Sequence, residues 1–479
     1  MPGFFVENFG CRATQADGAA LERQFEEQGL FRASTATQAS VVVLNTCTVT
    51  MGADQDARAA VRRVRRQNPD ARIVVTGCYA QRAPEEIAAL PGVDLVVGNS
   101  HKHQLAQIAL RGSASWQPSS FLPLDALTSS ARPATNDQGP IYVSNIFAHT
   151  ELLAAPVFDA ANERTRPNLK VQDGCDNRCS FCVIPYVRGQ SRSLEMGRII
   201  HEVNTLVDGG YREVVVSGIN LGRWGRDLAG SSIHVGTAAP GCPGEQSSPP
   251  TLADLIRAIL SETSLEKLRI SSVEPMDWTD DLISLVASSP RIAKHAHVPM
   301  QSGSDAVLRR MHRKYRPWHY REKIEKIHAA MPEAAIGADV MVGFPGETDS
   351  EFEATRRMIE DLPFTYLHVF TYSPRPGTPA AEMKNQVPVH VARDRNRILR
   401  ELASEKKLAF MRSFIGKTLE AITLNVVGND ADGEFTEALT DNYLKLLLRG
   451  RHKPNRWQTA TVLNVVNGSL VGMRVSQGQ

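Results

Sequence analysis

The sequence predicts an α/β protein in three parts. These are an N-terminal doubly wound parallel α/β domain, a central partial (βα)6 barrel and a small C-terminal antiparallel β-barrel. Three observations carry this reading. Short apolar runs alternate with helical patterns over the first 110 or so residues. Six further strand–helix units follow after a break rich in Ser, Pro and Ala. Beyond residue 410 the pattern turns to strands separated by turn signals such as Gly428-Asn429-Asp430. Strands that alternate with helices imply parallel pairing, whereas closely spaced strands without helices imply antiparallel pairing.

In the N-terminal part, strands are expected at Gly3–Glu7, Val41–Asn45, Ile73–Thr76 and Leu95–Val97, with helices at Gly18–Gln28, Asp54–Gln67 and Pro84–Leu90. A cysteine follows each of the first three strands: Cys11 in NFGC, Cys47 in LNTC and Cys78 in VTGC. Parallel α/β sheets bind ligands at the carboxyl edge of their strands, so three cysteines distant in sequence are expected to meet there. Gly10 and Gly77, just before two of them, suit tight turns. Isolated buried cysteines are common core residues, but three in one topological position favour a shared metal site. Without a nearby histidine, an iron–sulfur cluster with an open iron is expected, and an incomplete zinc site is the alternative.

The barrel strands are expected at Leu169–Gln172, Glu213–Ser217, Leu268–Val273, Ala296–Met300, Gly337–Val342 and Tyr366–Tyr372. The intervening helices include Gly197–Asp208, Leu252–Glu262, Asp305–Met311, Arg321–Ala330 and Ser350–Asp361. Barrel chemistry sits at the C-terminal ends of strands. Those ends carry Cys175, Cys179 and Cys182, then Ser217-Gly218-Ile219-Asn220, Glu274-Pro275, Gln301-Ser302-Gly303-Ser304 and two Gly/Pro-rich loops. The domains are expected at 1–112, 163–410 and 411–479, with 113–162 as a linker.

Size and composition fit a globular protein of several domains: 479 residues, 42% hydrophobic and 22% charged. A formal net charge of +2 argues for no particular partner. No apolar run is long enough to span a bilayer, and MPGFFVENFGC lacks the features of a secretory leader, so no membrane association and a cytoplasmic location are expected. In that compartment grouped cysteines imply metal or redox chemistry more than disulfides. The seventh cysteine, Cys242, lies in a Gly/Ser/Pro-rich stretch and is read as a bystander.

The stretch QDGCDNRCSFCVIPYVRGQSRS spaces its cysteines as Cys-x-x-x-Cys-x-x-Cys after a first barrel strand. It resembles the signature of the radical S-adenosylmethionine (SAM) superfamily. A zinc knuckle with a fourth ligand elsewhere is the plain alternative. The resemblance implies a 4Fe–4S cluster whose fourth iron stays open to chelate SAM. Reduction of that cluster then cleaves SAM to methionine and a 5′-deoxyadenosyl radical. Phe181 would shield the cluster or line the adenine pocket, and Arg188 and Arg192 would contact anions.

The whole chain is similar to the radical SAM methylthiotransferase family. NFGCRATQAD, NTCTVT, GCYAQR, the cysteine triplet, VSGINLGRWG, RISSVEP, HVPMQSGSDAVLRRMHRKY, IGADVMVGFPGET and LHVFTYSPRPGTPA carry the resemblance. It implies two 4Fe–4S clusters. Cys175, Cys179 and Cys182 would hold the SAM-cleaving one, and Cys11, Cys47 and Cys78 an auxiliary one that handles sulfur. Ser217, Gly218, Asn220, Glu274 and Gln301 would contact SAM. The motifs look most like the subgroup that converts N6-threonylcarbamoyladenosine, beside the tRNA anticodon, to its 2-methylthio derivative. Arg12-Ala13-Thr14-Gln15 is close to that subgroup's Lys-Val-Asn-Gln, with Thr14 in place of Asn. Modification of isopentenyladenosine, modification of a protein substrate, and a non-catalytic zinc-dependent RNA-binding protein are the alternatives. Arg12, Arg188 and Arg375 are the candidates for meeting the threonyl carboxylate. The partners implied are tRNA, an electron donor such as a flavodoxin or ferredoxin, and an unspecified sulfur source.

The C-terminal strands, Leu419–Val427, Glu434–Leu448 and Trp457–Val475, occupy the place of that family's RNA-binding TRAM domain; a capping or dimerisation barrel is the alternative. RGRHKPNRW offers basic and aromatic groups for RNA. Two basic runs, Arg62 to Arg66 and Arg309 to Arg316, are expected to favour phosphate over a merely solvated face.

Overall fold

A computed structural model describes residues 2–111, 141–149, 152, 166–228, 248–430 and 432–475. Cys242 lies outside these residues. The N-terminal sheet has six strands: β1 (Gly3–Asn8), β2 (Phe31–Arg32), β3 (Val41–Thr46), β4 (Arg72–Gly77), β5 (Leu95–Gly98) and β6 (Ile141–Tyr142). All pair in parallel, in the order β2-β1-β3-β4-β5-β6. The doubly wound arrangement follows from side-chain alternation. Val42, Leu44, Ile73 and Val75 face the helix Met51–Gln67 through its Ala57, Val61 and Val64. Val41, Val43, Val74 and Leu95 face the opposite side, against Leu21 and Phe25 of helix α1 (Arg12–Glu27). The edge strands β2 and β6 are two residues each, too short to show periodicity, and β6 lies in the stretch read as a linker. Helix α1 begins at Arg12 rather than Gly18, directly after Cys11.

The barrel comprises β7 (Asn168–Asp173), β9 (Glu213–Gly218), β10 (Lys267–Ile270), β11 (His295–His297), β12 (Ala335–Val342) and β13 (Tyr366–Thr371), with a short antiparallel β8 (Arg192–Ser193) beside β7. It is two half-sheets, β10-β9-β7-β8 and β11-β12-β13, joined through single bridges such as Ser272↔His297. Strand β11 is shorter than the apolar run suggested, because Pro299 interrupts the ladder. The helices Asp280–Ser288 and Val389–Arg412, absent from the sequence reading, complete the outer layer. The second buries Ala392, Leu399 and Ala403, a helical stripe within a heavily charged stretch.

The C-terminal barrel closes in the order β14-β15-β16-β18-β17, from β14 (Thr418–Asp430), β15 (Gly433–Thr440), β16 (Lys445–Arg449), β17 (Trp457–Val466) and β18 (Ser469–Arg474). Four of its neighbour pairs are antiparallel; β16 and β18 are parallel. The loop between β15 and β16 plugs the bottom of the central barrel. Tyr443 packs tilted against His295, with ring centroids 4.8 Å apart, and the Arg269 guanidinium lies 5.1 Å from the Tyr443 ring centre.

Candidate functional site

The Cys175–Cys182 loop is held from both sides. The Cys175 N–H donates to Gly189 O at 3.1 Å, and Cys182 N–H to Cys179 O at 3.1 Å. Gln172, at the end of β7, ties this loop to its neighbours. Its Nε2 donates to the carbonyls of Asp173 and Gly174 and to Ser191 Oγ, while its Oε1 accepts from Asn220 N–H at 2.7 Å. Three donors already reach sulfur: Asn177 N–H to Cys175 Sγ at 3.4 Å, Asn220 Nδ2 to Cys175 Sγ at 3.6 Å and Arg313 Nη1 to Cys179 Sγ at 3.3 Å. Burial pushes the Cys182 thiol up to about 12, with the nearby Cys179 adding to the rise. A proton must therefore leave before metal binds.

The N-terminal cysteines converge as their placement predicted. Gly10 has φ +99°, and a Cβ there would stand 2.6 Å from Cys47 Cβ, so the first two cysteine loops touch. Gly77, also at φ +99°, lies against Thr46 of the strand that delivers Cys47. Cys78 opens the helix Cys78–Arg82 and accepts from Asn99 Nδ2 at 3.6 Å. Thr14 Oγ1 stands 3.6 Å from Cys11 Sγ, so this substitution keeps a polar partner on the first cysteine. Burial, then the neighbouring Cys78, push the Cys47 thiol up to about 12.

The two trios occupy one interface. Cys78 packs on Val183 and Val187, and the helix Ile184–Arg188 begins two residues after Cys182. Asn99 bonds both Cys78 Sγ and Val187 O. Beneath them lies a buried ionic cluster: Asp17 pairs with Lys102, Lys170 and Arg188, and Asp173 pairs with Lys170 and Arg188. Burial alone would raise both carboxyls, but Lys102, Lys170 and Arg188 hold Asp17, and Arg188, Lys170 and Arg192 hold Asp173, far below the ordinary carboxylate range. Arg375, from the loop after β13, crosses to the N-terminal domain and bonds Asp54 and Thr48, next to Cys47.

Four thiolates around zinc, each at ~2.3 Å, stand about 3.8 Å apart. Among the described residues, the three-ligand group whose donor atoms all lie within 4.8 Å of one another is His297, Asp339 and His368, and neither cysteine trio. Neither trio is therefore drawn up as a closed site for a single ion. Around the barrel loop, Ser217 Oγ, Asn220 Oδ1 and Gln301 Oε1 are buried without a partner, as a polar ligand would require. Gln301 also carries φ +62°, a strained conformation found at functional sites. Gly218 lies against Gln172, and Glu274 is ion-paired with Arg313. Phe181 is half-buried, edge-on to Phe344 with centroids 6.3 Å apart.

Several basic residues expected at phosphate are committed elsewhere. Arg63 pairs with Glu7 and Arg65 with Asp94, while Arg309, Arg310, Arg313 and Arg316 pair with Asp305, Glu351, Glu274 and Asp305. Dense runs of arginine found carboxylates because neighbouring strands, helices and loops supply them. Arg188 and Arg192 bond Asp173 and the His149 carbonyl. Arg449 pairs with Asp430 and Asp432, and Trp457 lies under Lys267, leaving Arg451, Lys453 and Arg456 exposed in that segment. Sequence reasoning missed Gln172, Arg313, and the inward-facing His297, Asp339 and His368. The signal for the last group was polar residues at period two within otherwise apolar barrel strands.

Comparison with known proteins supplies the remaining facts. Residues 3–98 match an uncharacterized protein family, UPF0004, and residues 169–359 match the radical SAM superfamily. The threonylcarbamoyladenosine tRNA methylthiotransferase MtaB of Bacillus subtilis is 35% identical over 92% of this chain and 89% of its own length. Its Aquifex aeolicus counterpart is 34% identical over 93% and 96%. The tRNA-2-methylthio-N(6)-dimethylallyladenosine synthase of Novosphingobium aromaticivorans is 33% identical over 88% and 86%. The radical SAM methyltransferase TsrM of Kitasatospora setae superposes with a TM-score of 0.52 at 14% identity, covering 79% of this chain and 75% of that one, a likeness of fold. No helix among the described residues is long and apolar enough to cross a membrane.

Proposed function

The chain belongs to the radical SAM methylthiotransferase family, and from that premise we propose that it replaces the C2–H of N6-threonylcarbamoyladenosine in tRNA with a methylthio group. Cys175, Cys179 and Cys182 hold the 4Fe–4S cluster that binds SAM, and Cys11, Cys47 and Cys78 hold a second, auxiliary cluster. When bound, these groups supply the radical that removes an unactivated hydrogen and the sulfur that replaces it. The protein's part is placement. Asn220 and Arg313 donate to the thiolates, Ser217 and Gln301 offer buried polar atoms to SAM, and Glu274 orients Arg313. The packing of Cys78 onto Val183 and Val187 keeps the two cysteine loops adjacent.

Five curated relatives at 31–35% identity are threonylcarbamoyladenosine tRNA methylthiotransferases, and one that acts on dimethylallyladenosine matches at 33%. The lining of the barrel interior favours the threonylcarbamoyl group. Arg12, His297, Asp339 and His368 are polar, whereas an isopentenyl chain calls for apolar walls. An electron donor such as a flavodoxin or ferredoxin, and a cytoplasmic setting, complete the reading. Nucleoside mass analysis of tRNA from a deletion strain tests it. The 2-methylthio-threonylcarbamoyl nucleoside should vanish while its precursor accumulates. Loss of the isopentenyl analogue instead would overturn the assignment.

A further inference from the structure

The three arginines that the sequence offers for the substrate carboxylate differ in their surroundings. Arg188 is buried and shared between Asp17 and Asp173. Arg375 is 2% exposed and its charge is met by Asp54; its Nε and Nη1 find no partner but lie fully buried. Arg12 is exposed, and among the described residues no carboxylate pairs with it. Its guanidinium donates from Nη2 to the Tyr443 hydroxyl at 3.2 Å, and Asn168 Nδ2 holds its carbonyl at 3.1 Å.

Arg12 faces the inward side of β11 to β13. Tyr443 stands 6.1 Å from Tyr366, which stacks on His297 at 6.0 Å and meets His368 edge-on at 5.4 Å. His297 Nε2 lies 3.4 Å from Asp339 Oδ1, and the donor atoms of His297, Asp339 and His368 all lie within 4.8 Å of one another. Burial, then Arg269, His297 and Arg12, holds His295 below the ordinary imidazole range, and burial with His297 and Arg12 does so for His368; Arg269 is met by Glu213, so Arg12 is the cation here that no carboxylate among the described residues offsets.

We propose that Arg12 is the specificity-determining residue that binds the carboxylate of the substrate's threonylcarbamoyl group, with Asp339 and His368 receiving its hydroxyl and N–H groups. This rests on the threonylcarbamoyl reading above. Charge fixes the orientation: Asp339 repels a second carboxylate and accepts from donors, so the acid end goes to Arg12. Position does the rest. Arg12 adjoins Cys11 in the chain, and on adenine only N1 separates C6, which bears the side chain, from C2. A side chain anchored at Arg12 therefore turns C2 toward the Cys11 loop. Guanidinium suits this task because its planar fork matches a carboxylate.

The test uses the full reconstituted enzyme and two synthetic anticodon stem-loops, one carrying the threonylcarbamoyl group as the free acid and the other as its methyl amide. Methylthiolation is read by nucleoside mass analysis as kcat/KM, and binding by fluorescence anisotropy, which needs no turnover. The unsubstituted enzyme should prefer the acid by roughly 10- to 100-fold, the range of a charge-assisted hydrogen bond. R12Q should bring the acid-to-amide ratio near one, R12K should restore part of it, and H368Q should erode it severalfold. Equal use of acid and amide by the unsubstituted enzyme, or an unchanged ratio in R12Q by both readouts, overturns the proposal. An enzyme that ignores both stem-loops and modifies an isopentenyladenosine one has a different substrate, and the role of Arg12 falls with that assignment.

Discussion

The two cysteine trios reach similar ends by opposite routes. Cys175, Cys179 and Cys182 lie within eight residues of one another, on a single loop pinned by Gln172 and Gly189. Cys11, Cys47 and Cys78 come from three loops, and nothing but the parallel order of β1, β3 and β4 brings them together. A local motif carries its geometry with it; a distributed one borrows geometry from the whole sheet. The first should tolerate disturbance elsewhere in the fold, and the second should not.

The sharpest separation of the two comes from their cysteines. C175A should abolish 5′-deoxyadenosine formation and methylthiolation together. C47A should leave SAM cleavage in place while methylthiolation falls on the order of 10³-fold or more, about 4 kcal/mol of barrier. Iron content should drop in each from about eight to about four per chain. If C47A also stopped SAM cleavage, the trios would not be independent sites.

A smaller effect is expected at the ionic contact beneath them. D17N leaves Lys102, Lys170 and Arg188 with one carboxylate between them, and breaking such a buried network costs about 3 kcal/mol. The melting transition of the N-terminal domain should fall and separate from that of the barrel, seen by calorimetry. An unchanged single transition would show that the contact carries no stability. The pH sign follows from the depressed carboxyls: their contribution is complete above the ordinary carboxylate range and is lost as pH falls below it.

The mildest change is G10A. Alanine at φ +99° costs about 1–3 kcal/mol locally, and its Cβ would meet Cys47. Iron in the auxiliary site should become easier to chelate while SAM cleavage persists. Equal loss from both sites would erase the distinction between a borrowed and a self-contained geometry.

What was legible in the sequence follows the same division. The Cys175 triplet and its loop glycines are read directly from spacing. The N-terminal trio was legible because each cysteine repeats one position relative to a strand, a pattern the sheet then converts into contact. Long-range polar partners were not legible. Nothing near Arg313 in the chain announces that it reaches Cys179 and Glu274, and the basic run containing it pointed toward phosphate instead. The helix Val389–Arg412 was hidden for a related reason: its charges outnumber the few apolar residues that seat it. Arg12 was named among three candidates, and only the carboxylates beside the other two distinguish it.

The ionic contact between Asp17 and its three cations also constrains how the protein matures. Cys47 and Cys78 are buried, whereas Cys11 is exposed and the barrel trio half-buried, so the closed boundary still leaves each trio one open side. Five charged side chains must shed water together before their pairing repays the cost, so partial docking gains little and the ionic contact works as a latch on assembly.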